Sequence, residues 1–126
     1  MKNQQDKIKK FDEHLVKQVL GQCWSKQSSS SWTENNPARG QCSVTAIVIQ
    51  ERFGGEILKT NVDGQWHFYN VIDGIKYDLT IDQFEEPPNY IDIPSTLEEA
   101  LSDTNQDKYN YLLDKFQQVF SRYVIK

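Results

Sequence analysis

The chain has 126 residues, with 14 Lys and Arg against 18 Asp and Glu for a net charge of −4. At that length a domain buries roughly two-thirds of the surface its unfolded chain exposes, so residues 1–126 are read as one domain with one core. The basic residues are interspersed with acidic ones, which argues against a phosphate-tracking nucleic-acid binder. No apolar run approaches the roughly 20 residues needed to cross a bilayer, and Met1 to Lys10 is polar and lacks the apolar segment of a secretory signal. The expectation is a soluble, cytoplasmic protein with neither nucleic acid nor membrane as partner. Two cysteines, Cys23 and Cys42, are too few for a disulfide framework and lack the CxxC spacing of a structural zinc site. No cofactor is implied, and at least one thiol is a candidate for reactivity.

In chain order, Ile8, Phe11, Leu15 and Val19 recur at helical spacing and predict an amphipathic helix over about 5–20 that stops at Gly21. Gln27 to Asn36 is polar throughout and reads as a loop, mobile enough to cover a site. Between Gly40 and Phe53, Val44, Ala46, Ile47, Val48 and Ile49 leave almost no polar face. A run this short fits a buried strand or a covered helix. Phe53-Gly54-Gly55 is a helix C-terminus, which favours a central buried helix beginning near Gln41 or Cys42. Strand-forming runs at about 56–62, 65–72 and 75–80 are separated by Asp63-Gly64 and Asp73-Gly74. Asp-Gly between such runs signals a type I′ hairpin, so the three form an antiparallel meander. Glu85-Glu86-Pro87-Pro88 breaks the pattern. Tyr90 to Ile93 is a candidate short strand, and Ser95 with Glu98 offers a capping box for a short helix. Tyr109, Leu112, Leu113, Phe116, Val119, Phe120 and Tyr123 mark a long amphipathic C-terminal helix. The fold class is α+β.

A two-residue turn at Asp73-Gly74 pairs Ile72 with Ile75 and, carried outward, sets Tyr69 opposite Asp78 and His67 opposite Thr80. His67 and Asp78 are then diagonal neighbours on one face, roughly 7–8 Å apart at the backbone, which suits an imidazole reaching a carboxylate. Asn70 points to the other face. The hairpin at Asp63-Gly64 adds Leu58, Thr60 and Val62 to the His67/Tyr69 face, over which the central helix is expected to pack. A helix starting at Cys42 puts the sulfur at free backbone N–H groups and the positive dipole end, where the thiolate is favoured. In this arrangement Cys42 attacks an acyl carbon, His67 shares and returns the proton, and Asp78 holds the ring. The Cys42 N–H is a natural oxyanion donor, with Gln41, Asn36 or Trp32 as candidates for the second.

The stretches Asn36-Pro37-Ala38-Arg39-Gly40-Gln41-Cys42-Ser43-Val44-Thr45-Ala46, Phe53-Gly54-Gly55-Glu56-Ile57-Leu58, His67-Phe68-Tyr69-Asn70 and Tyr77-Asp78-Leu79-Thr80-Ile81-Asp82-Gln83-Phe84 resemble the YunG-like family of small bacterial proteins. Cys at a helix start followed by His and Asp on adjacent strands also resembles the wider papain-like and transglutaminase-like superfamily, whose members perform amide or thioester chemistry. The resemblance implies a papain-like domain, its central helix packed on a small meander and flanked by N- and C-terminal helices. It implies a Cys42/His67/Asp78 triad and a peptide or small acyl substrate for a hydrolase or acyltransferase, without saying which substrate or which of the two.

Blander readings stand beside these. Cys42 serves equally as a small hydrophobe at the start of an apolar helix, His67 as a satisfied core histidine, and Asp78 as an acceptor for backbone N–H groups. Cys23, with no base near it in sequence, reads as structural, and His14 as a boundary residue of the first helix. The main alternative function is a non-enzymatic module on the same architecture that binds a peptide or small ligand in the groove between helix and meander. A metal site on Cys42, His67 and Asp78 ranks third, because a structural zinc site wants a fourth protein ligand and a catalytic one an open water position.

Overall fold

In the computed structural model of the protein, which describes residues 11–124, helix α1 (Glu13–Cys23) starts at Asp12, whose carboxylate accepts a hydrogen bond from the Leu15 N–H at 3.1 Å. Ile8 and the expected start of this helix lie outside the described residues. The helix does not stop at Gly21 but continues to Cys23. Gly21 faces solvent with open space where a Cβ would stand, so it costs the helix about 1 kcal/mol of propensity without interrupting it. Val16, Val19, Leu20 and Cys23 form the buried side.

The polar stretch after α1 is a run of hydrogen-bonded turns. The N–H groups of Ser28 and Ser29 both donate to Ser25 O at 3.0 Å, and the Ser28 hydroxyl accepts from the Ser25 N–H at 3.0 Å. Ser28 and Ser29 are 1% and 5% exposed. Their hydroxyls supply the backbone partners that a ladder would otherwise provide, which lets a polar segment pack inward. The run ends at Gly40, whose φ of 73° and close approach to the Ser29 hydroxyl leave no place for a side chain.

Helix α2 (Cys42–Phe53) buries seven consecutive residues, Ser43 to Ile49, and ends at Gly54 with φ 82°. A helix apolar on every side must be covered on every side. Val44, Val48 and Ile49 meet α1 and the C-terminal helix through Val16, Leu20, Phe116 and Phe120, while Ala46 and Ile47 meet Ile57 and Phe68 of the sheet. The sheet is antiparallel, with β1 (Glu56–Val62), β2 (Gln65–Ile72), β3 (Ile75–Tyr77) and β4 (Ile93–Ser95) in the order β3-β2-β1-β4. Positive φ at Asp63, Gly64, Asp73 and Gly74 makes both hairpin turns of the primed type. The observed pairs Ile72↔Ile75, Thr60↔His67 and Leu58↔Tyr69 are those the turns require.

Four further details differ from expectation. The third strand stops at Tyr77 because the Asp78 carboxylate takes the Thr80 N–H at 3.3 Å, turning the chain into a 3-10 turn at Ile81–Gln83. The last strand lies at Ile93–Ser95, paired to β1, where Pro94 is tolerated on a sheet edge. Helix α3 (Leu97–Ser102) is capped by Thr96 accepting from Glu99 N–H at 3.1 Å, one residue later than the Ser95/Glu98 box, because Ser95 is still a strand residue. Finally, α2 packs on the Phe68/Asn70 face of β2, where Asn70 donates to Ala46 O at 3.0 Å, and not on the His67/Tyr69 face. Helix α4 (Gln106–Val124) closes the helical layer with Leu112, Phe116, Val119 and Phe120. No described helix is long and apolar enough to cross a membrane.

Candidate active site

His67 stands at the third position of β2, on the face opposite α2. That face is roofed by the chain that follows β3: the Phe84 ring meets the imidazole edge-to-face at 4.9 Å, and Tyr69 beside it meets Tyr90 at 5.0 Å. The roof leaves the His67 side chain 4% exposed and the Asp78 side chain 5% exposed. His67 Nε2 and Asp78 Oδ2 are 2.7 Å apart. Because β3 ends at Tyr77, Asp78 reaches this contact from a turn and not from a strand.

The carboxylate is held on both oxygens. Oδ1 accepts from the Thr80 N–H at 3.3 Å and its hydroxyl at 3.4 Å, and Oδ2 also accepts from the Tyr90 hydroxyl at 2.7 Å. Thr80 Oγ1 in turn accepts from Gln83 Nε2 at 3.0 Å, and Gln83 Oε1 accepts from the Gly40 N–H at 3.4 Å. A chain of bonds thus joins the acid to the loop that delivers Cys42.

Cys42 is the half-buried first residue of α2, whose N-cap, Gln41, makes no side-chain capping bond. Its first-turn N–H groups are those that a helix leaves without intrahelical partners. Cys42 and His67 border one cavity of about 710 Å³, together with Gly40, Trp66, Gln83 and Asp103. With Nε2 engaged by Asp78, Nδ1 is the ring nitrogen left for the sulfur, although no fully aligned Cys42–His67 hydrogen bond is formed. Burial pulls the imidazole pKa down, but the Asp78 hydrogen bond, the Cys42 contact and the Asp78 charge outweigh it and raise it to about 9. Across the cavity, partial enclosure pushes the Asp103 carboxyl up, against a smaller downward pull from neighbouring Ser43.

The other sequence candidates are placed elsewhere. Gln41 is fully buried, with Nε2 on Ser25 O at 3.4 Å and Oε1 without a partner. Asn36 Nδ2 donates to Gln83 O at 3.3 Å, and the Trp32 indole N–H is buried without a partner. None of the three borders the cavity. Tyr90 and Gln83 were not anticipated as site residues. Tyr90 lay in a stretch read only as a possible strand, and Gln83 carried no local signal beyond its place after Asp78-Leu79-Thr80. Among the described residues no group of three or more His, Cys, Asp or Glu is arranged to hold a metal ion.

Comparison with known proteins adds the lineage. The family model described as YunG protein matches residues 12–121, a span that contains every residue bordering the cavity. A relative from Bacillus subtilis (strain 168), Uncharacterized protein YunG, is 55% identical over 101 residues, covering 80% of this chain and 88% of its own length. No solved structure gives a significant match. On both the family match and this identity, the chain belongs to the YunG family.

Proposed function

We propose that the protein is a cysteine hydrolase or acyltransferase of papain-like architecture, acting on an amide, isopeptide or thioester carbonyl through Cys42, His67 and Asp78. The observation that carries this reading is the dry 2.7 Å bond between His67 Nε2 and Asp78 Oδ2, with Cys42 on the same cavity at the free end of a buried helix. The architecture rests on the chain order of the three residues and on a cysteine-first central helix packed against an antiparallel sheet.

In the first half-reaction the Cys42 sulfur forms a bond to the acyl carbon, and the bond from that carbon to the leaving nitrogen or sulfur breaks. His67 gives its Nδ1 proton to the departing group. An imidazole that keeps its proton to about pH 9 holds that proton ready at neutral pH. In the second half-reaction water or an acceptor nucleophile attacks the thioester, His67 Nδ1 takes the proton, and Cys42 is released. Asp78 fixes the ring by accepting from Nε2–H throughout. The oxyanion is met by the Cys42 N–H, and Gln83, one of two side-chain amides lining the cavity, gives one N–H to Thr80 and has a second to offer.

Mixing the protein with a panel of small acyl thioesters and activated esters, followed by intact-mass measurement, tests the reading. An acyl adduct is expected on Cys42, absent in Cys42→Ser and formed about 100-fold more slowly in His67→Ala. Absence of any adduct, or an adduct indifferent to His67, sinks the catalytic reading and leaves the cavity as a binding groove.

A further inference from the structure

We infer that Tyr90 is a positioning residue whose hydroxyl shares Asp78 Oδ2 with His67 and thereby loosens the carboxylate's hold on the imidazole proton. Both bonds to Oδ2 are 2.7 Å. The Asp78 side chain is 5% exposed, so these donors and the two from Thr80, not water, set its charge distribution. A hydrogen bond donated to a carboxylate stabilises its charged form and lowers its appetite for a proton. Paired with His67 alone, a buried carboxylate would keep the ring protonated more firmly than it does with Tyr90 drawing on the same oxygen.

Tyr90 is aimed by a strap, residues 89–92, pinned on both sides of it. Before it Asn89 O accepts from the Thr60 hydroxyl at 2.9 Å, and after it the Ile91 N–H donates to the same Thr60 Oγ1 at 3.0 Å. One residue further on, the Tyr69 hydroxyl donates to Asp92 Oδ1 at 2.7 Å and accepts from the Asp92 N–H at 2.9 Å. Asp92 takes φ 57°, an uncommon conformation for a residue with a side chain, and is paired with Lys76 at 3.1 Å. The titratable groups that face the His67–Asp78 pair and this strap are Cys42, Tyr69, Tyr90, Asp92 and Lys76. Burial and the hydrogen bonds to Asp92 and Asp78 push the Tyr69 and Tyr90 hydroxyls upward, so both remain donors. The Tyr69 bond and then Lys76 hold Asp92 low, so it remains an anion. That leaves His67, which also faces Cys42, as the group whose midpoint reads the tuning.

The catalytic meaning of this rests on the Cys42/His67/Asp78 reading, but the tuning is measured without it. NMR titration of the ring protons follows His67, with exposed His14, the chain's other histidine, as an internal reference. Tyr90→Phe is expected to move the His67 midpoint upward by roughly half a unit, a fraction of the one to three units a direct charged partner imposes. Site-specific 3-fluorotyrosine at 90, a stronger donor of the same shape, is expected to move it down, with His14 unchanged in both. A role confined to packing would loosen the strap in Tyr90→Phe, admit water and lower the midpoint towards 6.5. A midpoint unchanged or lowered in that variant overturns the inference. Should Tyr90→Phe fail to fold, a fluorotyrosine midpoint at or above wild type overturns it alone. Opposite shifts with an inert Cys42 would uphold the tuning and end the catalytic reading, whereas acylation of Cys42 without the shifts would do the reverse.

Discussion

Cys23 and Cys42 are the same side chain at opposite ends of two helices. Cys23 closes α1, is 1% exposed and sits in the cluster of Val19, Val44 and Phe116. Burial pushes its thiol up to about 11, even though Lys115 and Arg122 draw it down. Cys42 opens α2, is half-buried, and borders a cavity beside an imidazole. A helix C-terminus presents carbonyl oxygens, which repel a thiolate, and a helix N-terminus presents N–H groups, which attract one. Placement at a helix end, more than the thiol itself, divides a packing residue from a candidate nucleophile.

The largest contrast is expected in reactivity. At pH 7 a thiol held near 11 is thiolate only to about one part in 10⁴, and Cys23 is also shielded from reagents. Iodoacetamide is therefore expected to label Cys42 at least about 1,000-fold faster than Cys23, as read by peptide mapping over time, and His67→Ala is expected to remove much of that advantage. Comparable labelling of the two thiols would erase the distinction.

Next in size is the ion pair beside Cys42. Replacement of Asp78 by Asn leaves a buried imidazole without its partner and is expected to cost about 3 kcal/mol at acid pH. The folded His67 value, about 9, lies above the ordinary 6.5, so the pair's contribution is whole below about pH 6.5 and is lost as pH rises through about 9. Urea midpoints of the wild type and Asp78→Asn should differ widely at pH 6 and converge above pH 9.5. A gap that widens with pH would show that the pair is not what stabilises this region.

Serine substitution then separates the cysteines by packing. Cys23→Ser puts a hydroxyl into an apolar cluster and is expected to cost about 2 kcal/mol, while Cys42→Ser is expected to change stability by less than about 0.5 kcal/mol. Equal losses in thermal melts would mean that Cys42 is core after all. The smallest effect concerns the helix that ends in Cys23: Gly21→Ala, on an exposed turn, should stabilise by about 0.5–1 kcal/mol and leave Cys42 labelling unchanged. A labelling change would reveal coupling between the two regions.

The parts of the site written in local pattern were legible. Two Asp-Gly turns set a two-residue register that holds as far as Asn70↔Tyr77, because strand parity admits no half-step, but Asp78 closes its contact with His67 from the turn after β3 and not from the strand expected over 75–80. Cys42 as the first residue of α2 followed from an apolar run bounded by Gly40 and Gly54. What escaped depends on where chain without periodicity runs in space. Whether α2 covers the His67 or the Phe68 face cannot be told from alternation when residues on both faces are buried, as His67, Phe68, Tyr69 and Asn70 all are. Tyr90 reaches Asp78 through a strap whose anchors, Thr60 and Tyr69, are distant in sequence. Gln41 and the serines at 28 and 29 are buried polar groups, which composition alone assigns to the surface.

Trp66 gives the cavity an optical label of its own. It is 41% exposed and lines the cavity, whereas Trp24 lies in the core with its indole N–H donated to the Thr45 hydroxyl, and the Trp32 indole N–H is buried. With Trp24 in the core and Trp32 half-buried, the most exposed indole is Trp66, which contributes most to the red edge of the emission spectrum and to its quenching by iodide. A ligand settling over Cys42 should therefore announce itself as a blue shift and a loss of iodide quenching, so occupancy of the cavity can be followed in unlabelled protein before any substrate is known.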